Sequence, residues 1–166
     1  MVFVINSDDF EITVQYPIDN SLSPIKAQGF PTFYSNNGDY ILPINLWLNH
    51  LINIRKDKNI NSNVRAIKRY WHFLEKNNLQ WNVFPHAKTL KPTYRFRNDD
   101  LLHSARNGDI QFSTASIYML HVIKFYEWAI HEKLIEIDPK SKPFQYETVN
   151  INNTGALTHI NNLNSG

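Results

Sequence analysis

Histidine side chains are the first candidates for chemistry in this chain, because imidazole binds metals and transfers protons near neutral pH. The 166 residues include seven histidines and no cysteine, so thiolate ligands and thiolate nucleophiles are excluded. The positions are His50, His72, His86, His103, His121, His131 and His159. No two of them have the His-x-x-x-His or His-Glu-x-x-His spacing of a metal-binding helix. We therefore expect no metal ion and no other cofactor.

Local enzyme signatures are also missing from the sequence. The five glycines form neither a phosphate-binding loop nor a Gly-x-Ser-x-Gly turn. Tyr70, Tyr118 and Tyr126 lie among apolar residues at helical spacing, which is typical of core or groove-edge aromatic residues. We expect no catalytic residue in this chain.

Lysine and arginine are the other candidates, since clustered cations bind polyanions. The net charge of +2 conceals an uneven distribution. Residues 1–49 have a balance of −4, residues 50–97 carry eleven basic and two acidic residues, and residues 98–166 have a balance of −3. The middle segment, at +9, indicates a polyanion-binding surface. The alternative is an ordinary solvated helix face.

The charged segment predicts an amphipathic helix over residues 60–77, the second helix of the chain. Its apolar side consists of Ile60, Val64, Ile67, Trp71 and Leu74. Its opposite arc consists of Ser62, Arg65, Lys68, Arg69, His72 and Lys76. The arc contains no acidic residue, whereas a face that serves only solubility usually mixes signs for i,i+4 pairs. The arc is therefore the candidate contact surface for a polyanion.

The segments before this helix favour strands and then a first helix. Residues 10–16 alternate between apolar and polar types, as a half-buried strand does. The Asn-Asn-Gly-Asp sequence within residues 30–42 predicts a hairpin with a type I′ turn, in which both central residues have positive φ. Pro43 suits the first turn of a helix over residues 43–54.

Two more helices are predicted after a loop over residues 78–97. The third begins at Asn98, Asp99 or Asp100 and ends near Asn107-Gly108. The fourth runs from Ser113 or Thr114 to about residue 132. Its predicted buried side comprises Met119, Leu120, Val122, Ile123, Tyr126, Ala129 and Ile130. Its remaining strip comprises Thr114, Ile117, Tyr118, His121, Lys124, Phe125, Trp128 and Glu132.

The order of these elements resembles the N-terminal core-binding domain of phage-type integrases, which are site-specific tyrosine recombinases. Three segments carry the resemblance: the hairpin and helix NNGDYILPINLWLNHL, the second helix VRAIKRYWHFLE (64–75), and TASIYMLHVIKFYEWAIHEKLIEIDP (114–139). The last is similar to the family's long helix and its Leu-Ile-x-x-x-Pro exit, and is the most specific of the three. The resemblance covers residues 30–144.

The resemblance implies a mainly α fold, a four-to-five-helix SAM-like bundle preceded by a β-hairpin and a short N-terminal strand. It divides the chain into an N-terminal extension (1–29), the core-binding domain (30–144) and a linker (145–166) toward an absent catalytic domain. In the family this domain is half of a clamp around duplex DNA, with its second and fourth helices facing the major groove. The DNA-binding positions that carry over are Asn63, Arg65, Lys68, Arg69, His72, Thr114, Ser116, His121 and Lys124.

The resemblance also implies partners and an activity for the parent protein. These are double-stranded DNA, a tetrameric complex of parent protomers on it, and DNA breaking and rejoining by a second domain with an Arg, a His-x-x-Arg box and a Tyr nucleophile. His103 and Arg106 match that box, but we expect a surface pair inside the binding domain. By itself this chain is expected to be a monomer and not an enzyme.

Two alternatives stay open at this point. One is a helical protein-interaction module that uses an exposed Phe125 and Trp128. The other is a DNA-binding regulator that acts without strand chemistry. In either case, no apolar run approaches the roughly 20 residues that span a bilayer, and the N-terminus lacks the basic region of a signal peptide. We expect a cytoplasmic protein that does not bind membranes.

Overall fold

The computed structural model describes residues 2–7, 10–15, 22–27 and 29–145. The predicted linker, from residue 146 onward, lies outside this part. The architecture is mainly helical, with short antiparallel strands ahead of the helices, so the predicted fold class is confirmed. No helix in the described ranges has both the length and the apolar character needed to cross a membrane.

Two separate pairs of strands precede the helices. Their bounds are β1 (Phe3–Asn6), β2 (Phe10–Gln15), β3 (Leu22–Ala27) and β4 (Pro31–Tyr34). β2 confirms the strand expected from alternation and pairs antiparallel with β3. β1 pairs antiparallel with β4 and places Val4 opposite Phe33. Because Phe33 is fully buried, this pair closes one side of the helical core.

The hairpin after β4 exists, but its turn differs from the predicted type. The Ser35 N–H donates to the Asp39 carbonyl at 2.8 Å, and the Ile41 N–H donates to the Phe33 carbonyl at 3.1 Å. Within the turn only Gly38 has a positive φ, +85°. This is a three-residue loop with a left-handed glycine at its end, not a type I′ turn with two left-handed residues.

Within residues 29–145, four helices form the bundle. α1 (Leu42–Asn49) continues into a π-helical turn (His50–Ile54), and α2 spans Asn61–Lys76. α3 consists of three consecutive stretches, and their bounds are Pro92–Arg95, the π-helical Phe96–Leu102 and His103–Arg106. α4 spans Phe112–His131. The first, second and fourth helices thus lie where the periodicity predicted them.

The third helix begins at Pro92, six or more residues before the predicted start. The sequence predicts a loop at this proline, yet Pro92 occupies the first turn of the helix, where its fixed φ suits a helix and its missing N–H costs nothing. Arg97 consequently lies inside the helix and is buried. The predicted end is confirmed, because Gly108 has a φ of +82° and the Asp109 N–H donates to the Ser104 carbonyl at 2.9 Å.

The register of α4 differs from the prediction at two positions. Leu120, expected to be buried, is 46% exposed, whereas Phe125, expected on the open strip, is fully buried. Phe125 packs against Trp47, Trp71 and Trp81, with ring centroids 5.6, 6.1 and 5.7 Å away. Trp81 comes from the loop before α3 and covers this side of α4, which the periodicity of α4 alone does not reveal.

Candidate nucleic-acid interface

The outer side of α2 presents cationic and imidazole side chains to solvent. Arg65, Lys68, His72 and Lys76 are all exposed, and we call them the α2 cationic surface. At 100° per residue they lie within about 80° of one another around the helix. Among residues 29–145, no carboxylate forms an ion pair with any of the four. The charges of Arg65, Lys68 and Lys76 are therefore available to a partner.

α2 exposes these side chains because its other side is held in the core. Ile67 and Leu74 are buried, as predicted from the apolar stripe, and Tyr70 is buried beside them. The Tyr70 and Tyr126 hydroxyl groups are 2.6 Å apart, and the Tyr126 hydroxyl donates to the Trp81 carbonyl at 2.5 Å. Burial raises the pKa of both phenols, so they remain protonated. The interpretation of both tyrosines as core residues is confirmed.

Arg69 has a different environment from its neighbours on the arc. Its Nε donates to Asp100 Oδ2 at 2.6 Å, and its Nη2 donates to Ser104 Oγ at 2.7 Å. Both acceptors belong to α3. Because Asp100 neutralises the guanidinium charge, Arg69 fastens α2 to α3 and contributes little to the cationic surface. The arc of α2 contains no acidic residue, but Asp100 of α3 provides the ion-pair partner of Arg69.

Asn63 and His121, both candidate contacts to DNA, instead join α2 to α4. Asn63 is buried, and its Nδ2 lies 3.0 Å from His121 Nδ1. His121 Nε2 lies 2.9 Å from Ser62 Oγ. Burial, followed by the charge of Lys124, lowers the pKa of His121 and favours the neutral ring. With the Asn63 amide donating to Nδ1, the single N–H is on Nε2 and donates to the Ser62 hydroxyl.

The other three candidates on α4 are exposed to different degrees. Lys124 is exposed, whereas Thr114 and Ser116 are half-buried, and Ser116 Oγ is enclosed without a hydrogen-bond partner among the described residues. The exposed stripe of α4 is made of Ser113, Ile117, Leu120, Lys124, Glu127 and His131. The structure therefore keeps Lys124 at the candidate interface and places Thr114 and Ser116 at its border.

Much of the positive charge counted in residues 50–97 is committed elsewhere. Arg55 and Arg95 form ion pairs of 3.4 and 3.3 Å with nearby aspartates. Lys91 is buried and its Nζ donates to the Lys142 carbonyl at 2.7 Å. Burial lowers the pKa of Lys91 and of Arg97. The charge balance of this segment overstates the cationic surface, because sequence counting does not separate paired or buried cations from free ones.

Lys76 is the one member of the surface that the sequence-derived set of binding residues omitted. It follows His72 by four residues and therefore lies on the same side of α2. That spacing is the signal that identifies it. His103 and Arg106, by contrast, are exposed at the last turn of α3, as expected of a surface pair.

Comparison with known proteins finds no similarity to this chain: no family model, no curated protein and no solved structure matches it. The resemblance to phage-type integrases thus depends on the three sequence segments and on the order of the elements.

Proposed function

We propose that this chain binds double-stranded DNA, with the α2 cationic surface against the duplex and Lys124 of α4 beside it. The observation that carries the proposal is the combination of three unpaired cations and an exposed imidazole on one side of one helix. Lysine and arginine gain affinity for DNA by releasing counterions from phosphates. An α-helix with its side chains is about 10–12 Å wide, which suits the major groove.

The side chains divide into two kinds of contact. Lys68 and Lys76 are point charges suited to phosphates, which position the protein on the duplex. Arg65 has a planar fork that can pair with guanine O6 and N7 or with a phosphate. Asn63 is not assigned to base recognition, because its amide is engaged with His121.

The resemblance also suggests a role for the chain within a longer parent protein. The chain acts as the core-binding domain of a phage-type integrase in the cytoplasm, and parent protomers assemble on DNA as tetramers. Breaking and rejoining of strands belong to a catalytic domain with the family's Arg, His-x-x-Arg and Tyr groups. The chain on its own is a monomer that binds duplex DNA weakly, because the corresponding domain of the family forms only half of the clamp.

The direct test compares Arg65→Glu with Lys140→Glu, which makes a similar change of charge at an exposed site on the segment after α4. Affinity for a short mixed-sequence duplex is measured at low salt. We expect Arg65→Glu to weaken binding about tenfold or more, as loss of one good arginine contact does. Lys140→Glu should have a much smaller effect. Equal affinity of the two variants would show that α2 is not the binding face.

A second candidate, a protein-interaction module, is favoured by one observation. Ile117 and Leu120 are 47% and 46% exposed on the open stripe of α4, next to Lys124. Phe125 and Trp128, expected to be exposed for this role, do not support it, because Phe125 is buried and Trp128 is half-buried against the core. If the unmodified chain fails to bind duplex DNA at low salt, this stripe becomes the next surface to test.

A further inference from the structure

A groove of about 680 Å³ lies at the C-terminal end of α2 and shares His72 and Lys76 with the α2 cationic surface. Its walls come from three places: the turn after β4, the last two turns of α2, and the loop that follows α2. The lining side chains that matter here are Asn36, His72, Glu75, Lys76, Gln80 and Trp81. The volume is within the range of small-molecule sites, about 300–1,000 Å³.

The groove combines an aromatic wall with polar side chains. Trp71 and Trp81 both line it, their rings 5.9 Å apart and inclined by 33°. Asn36, Gln80 and Asn82 are exposed and contribute amide donors and acceptors. Aromatic rings bind the π-face of nucleobases, and amides bind their edges.

Positive charge is present at one side of the same groove. His72 and Lys76 line it and also belong to the α2 cationic surface. They lie one helical turn apart, so an anionic group at this side meets both. The groove therefore offers an aromatic wall, amides and a cationic edge within the length of one small ligand.

From this combination we propose that the groove binds a single unpaired nucleotide. The base lies against the half-buried ring of Trp81, behind which Trp71 is buried, and the phosphate contacts Lys76 and His72. The nucleotide can come from a free mononucleotide or from an unpaired position in DNA, and the chemistry is the same. The inference does not require that the chain bind duplex DNA.

The first experiment titrates the protein with GMP, AMP and TMP and follows tryptophan fluorescence. We expect a saturable signal, and loss of one typical hydrogen bond to the nucleotide corresponds to a factor of about five in affinity. Gln80→Ala with Asn82→Ala, both exposed positions, should weaken GMP binding by a similar factor or more. Lys140→Ala is the matched surface control and should bind as the unmodified protein does. Absence of saturable binding by all three nucleotides would overturn the proposal.

The second experiment separates the two sources of the nucleotide. A duplex with one unpaired guanosine is compared with the same duplex fully paired. If the duplex with the unpaired guanosine binds more tightly, and Gln80→Ala with Asn82→Ala removes that preference, the site binds unpaired DNA positions. If both duplexes bind equally and the GMP titration is positive, the site binds free nucleotides. Failure of both duplexes to bind would contradict the proposed function and leave the GMP titration as the test of the groove.

Discussion

Replacing Lys68 and Lys76 with alanine should reduce the salt dependence of DNA binding by about half. Four unpaired cations face the candidate interface: Arg65, Lys68, Lys76 and Lys124. If each contacts one phosphate, the slope of log affinity against log salt is about −3.6, and the double variant keeps about −1.8. Between 50 and 200 mM salt, affinity should then fall about 150-fold for the unmodified chain and about 12-fold for the variant.

The assay is fluorescence anisotropy of a labelled duplex over a series of salt concentrations. The control is Lys140→Ala with Lys142→Ala, which removes the same charge from two exposed side chains on the segment after α4. Its slope should stay near that of the unmodified chain. If the α2 variant keeps a slope near −3.6, the lysines do not contact phosphates. If both variants lose slope equally, binding reflects overall charge and not a defined surface.

Two further predictions concern the contacts that hold α2 in place. Tyr126→Phe should lower the free energy of unfolding by about 2–3 kcal/mol, because it leaves the Tyr70 hydroxyl and the Trp81 carbonyl without a partner. Tyr70→Phe should lower it by only about 1 kcal/mol, and urea unfolding measures both variants. His121→Gln should reduce the loss of stability on acidification. The folded pKa of His121 is below its usual 6.5, so the unfolded chain binds more protons as the pH falls through 6.5 and stability drops, by at most about 1.4 kcal/mol per pH unit.

Controls for these two predictions use the same unfolding measurement. Tyr118→Phe is the reference for removing a hydroxyl group outside the Tyr70 and Tyr126 pair. If Tyr70→Phe and Tyr126→Phe lower the free energy of unfolding equally, Tyr126 is not the hydroxyl that donates to the Trp81 carbonyl. For His121, the free energy of unfolding is measured at pH 7.5 and 5.5, and His86→Gln, at an exposed position, is the comparison. If His121→Gln and His86→Gln lose the same free energy on acidification, the buried ring is not the source of the pH dependence.

Periodicity predicted α2 well because the helix has one buried and one exposed side. Its position, the buried Ile67 and Leu74, and the exposed Arg65 and Lys68 all follow from 3.6-residue spacing. The same reasoning failed for Phe125, since α4 is covered from several sides and its exposed stripe is narrow. A helix that is mostly apolar gives no clear register.

Most features of the candidate site that the sequence did not predict are contacts between segments far apart in the chain. Asn63 bonds to a residue 58 positions away, and Arg69 to one 31 positions away. Neither pair leaves a local pattern, so nothing in the sequence separates these two residues from the other DNA-binding positions that the resemblance implies. The groove at the end of α2 also depends on Trp81, in a loop without periodicity.

These partners explain how α2 can serve as a rigid binding element. Asn63 fixes the first turn of α2 to α4, Arg69 fixes its middle to α3, and Tyr70 fixes its inner side to Tyr126. The exposed cations between these points therefore project from a backbone that is held on several sides. A preorganised surface loses less conformational entropy on binding, so more of each contact appears as affinity. The polar residues of α2 therefore divide into two groups: Asn63 and Arg69 keep the helix in position, and the outward-facing cations are available to the polyanion.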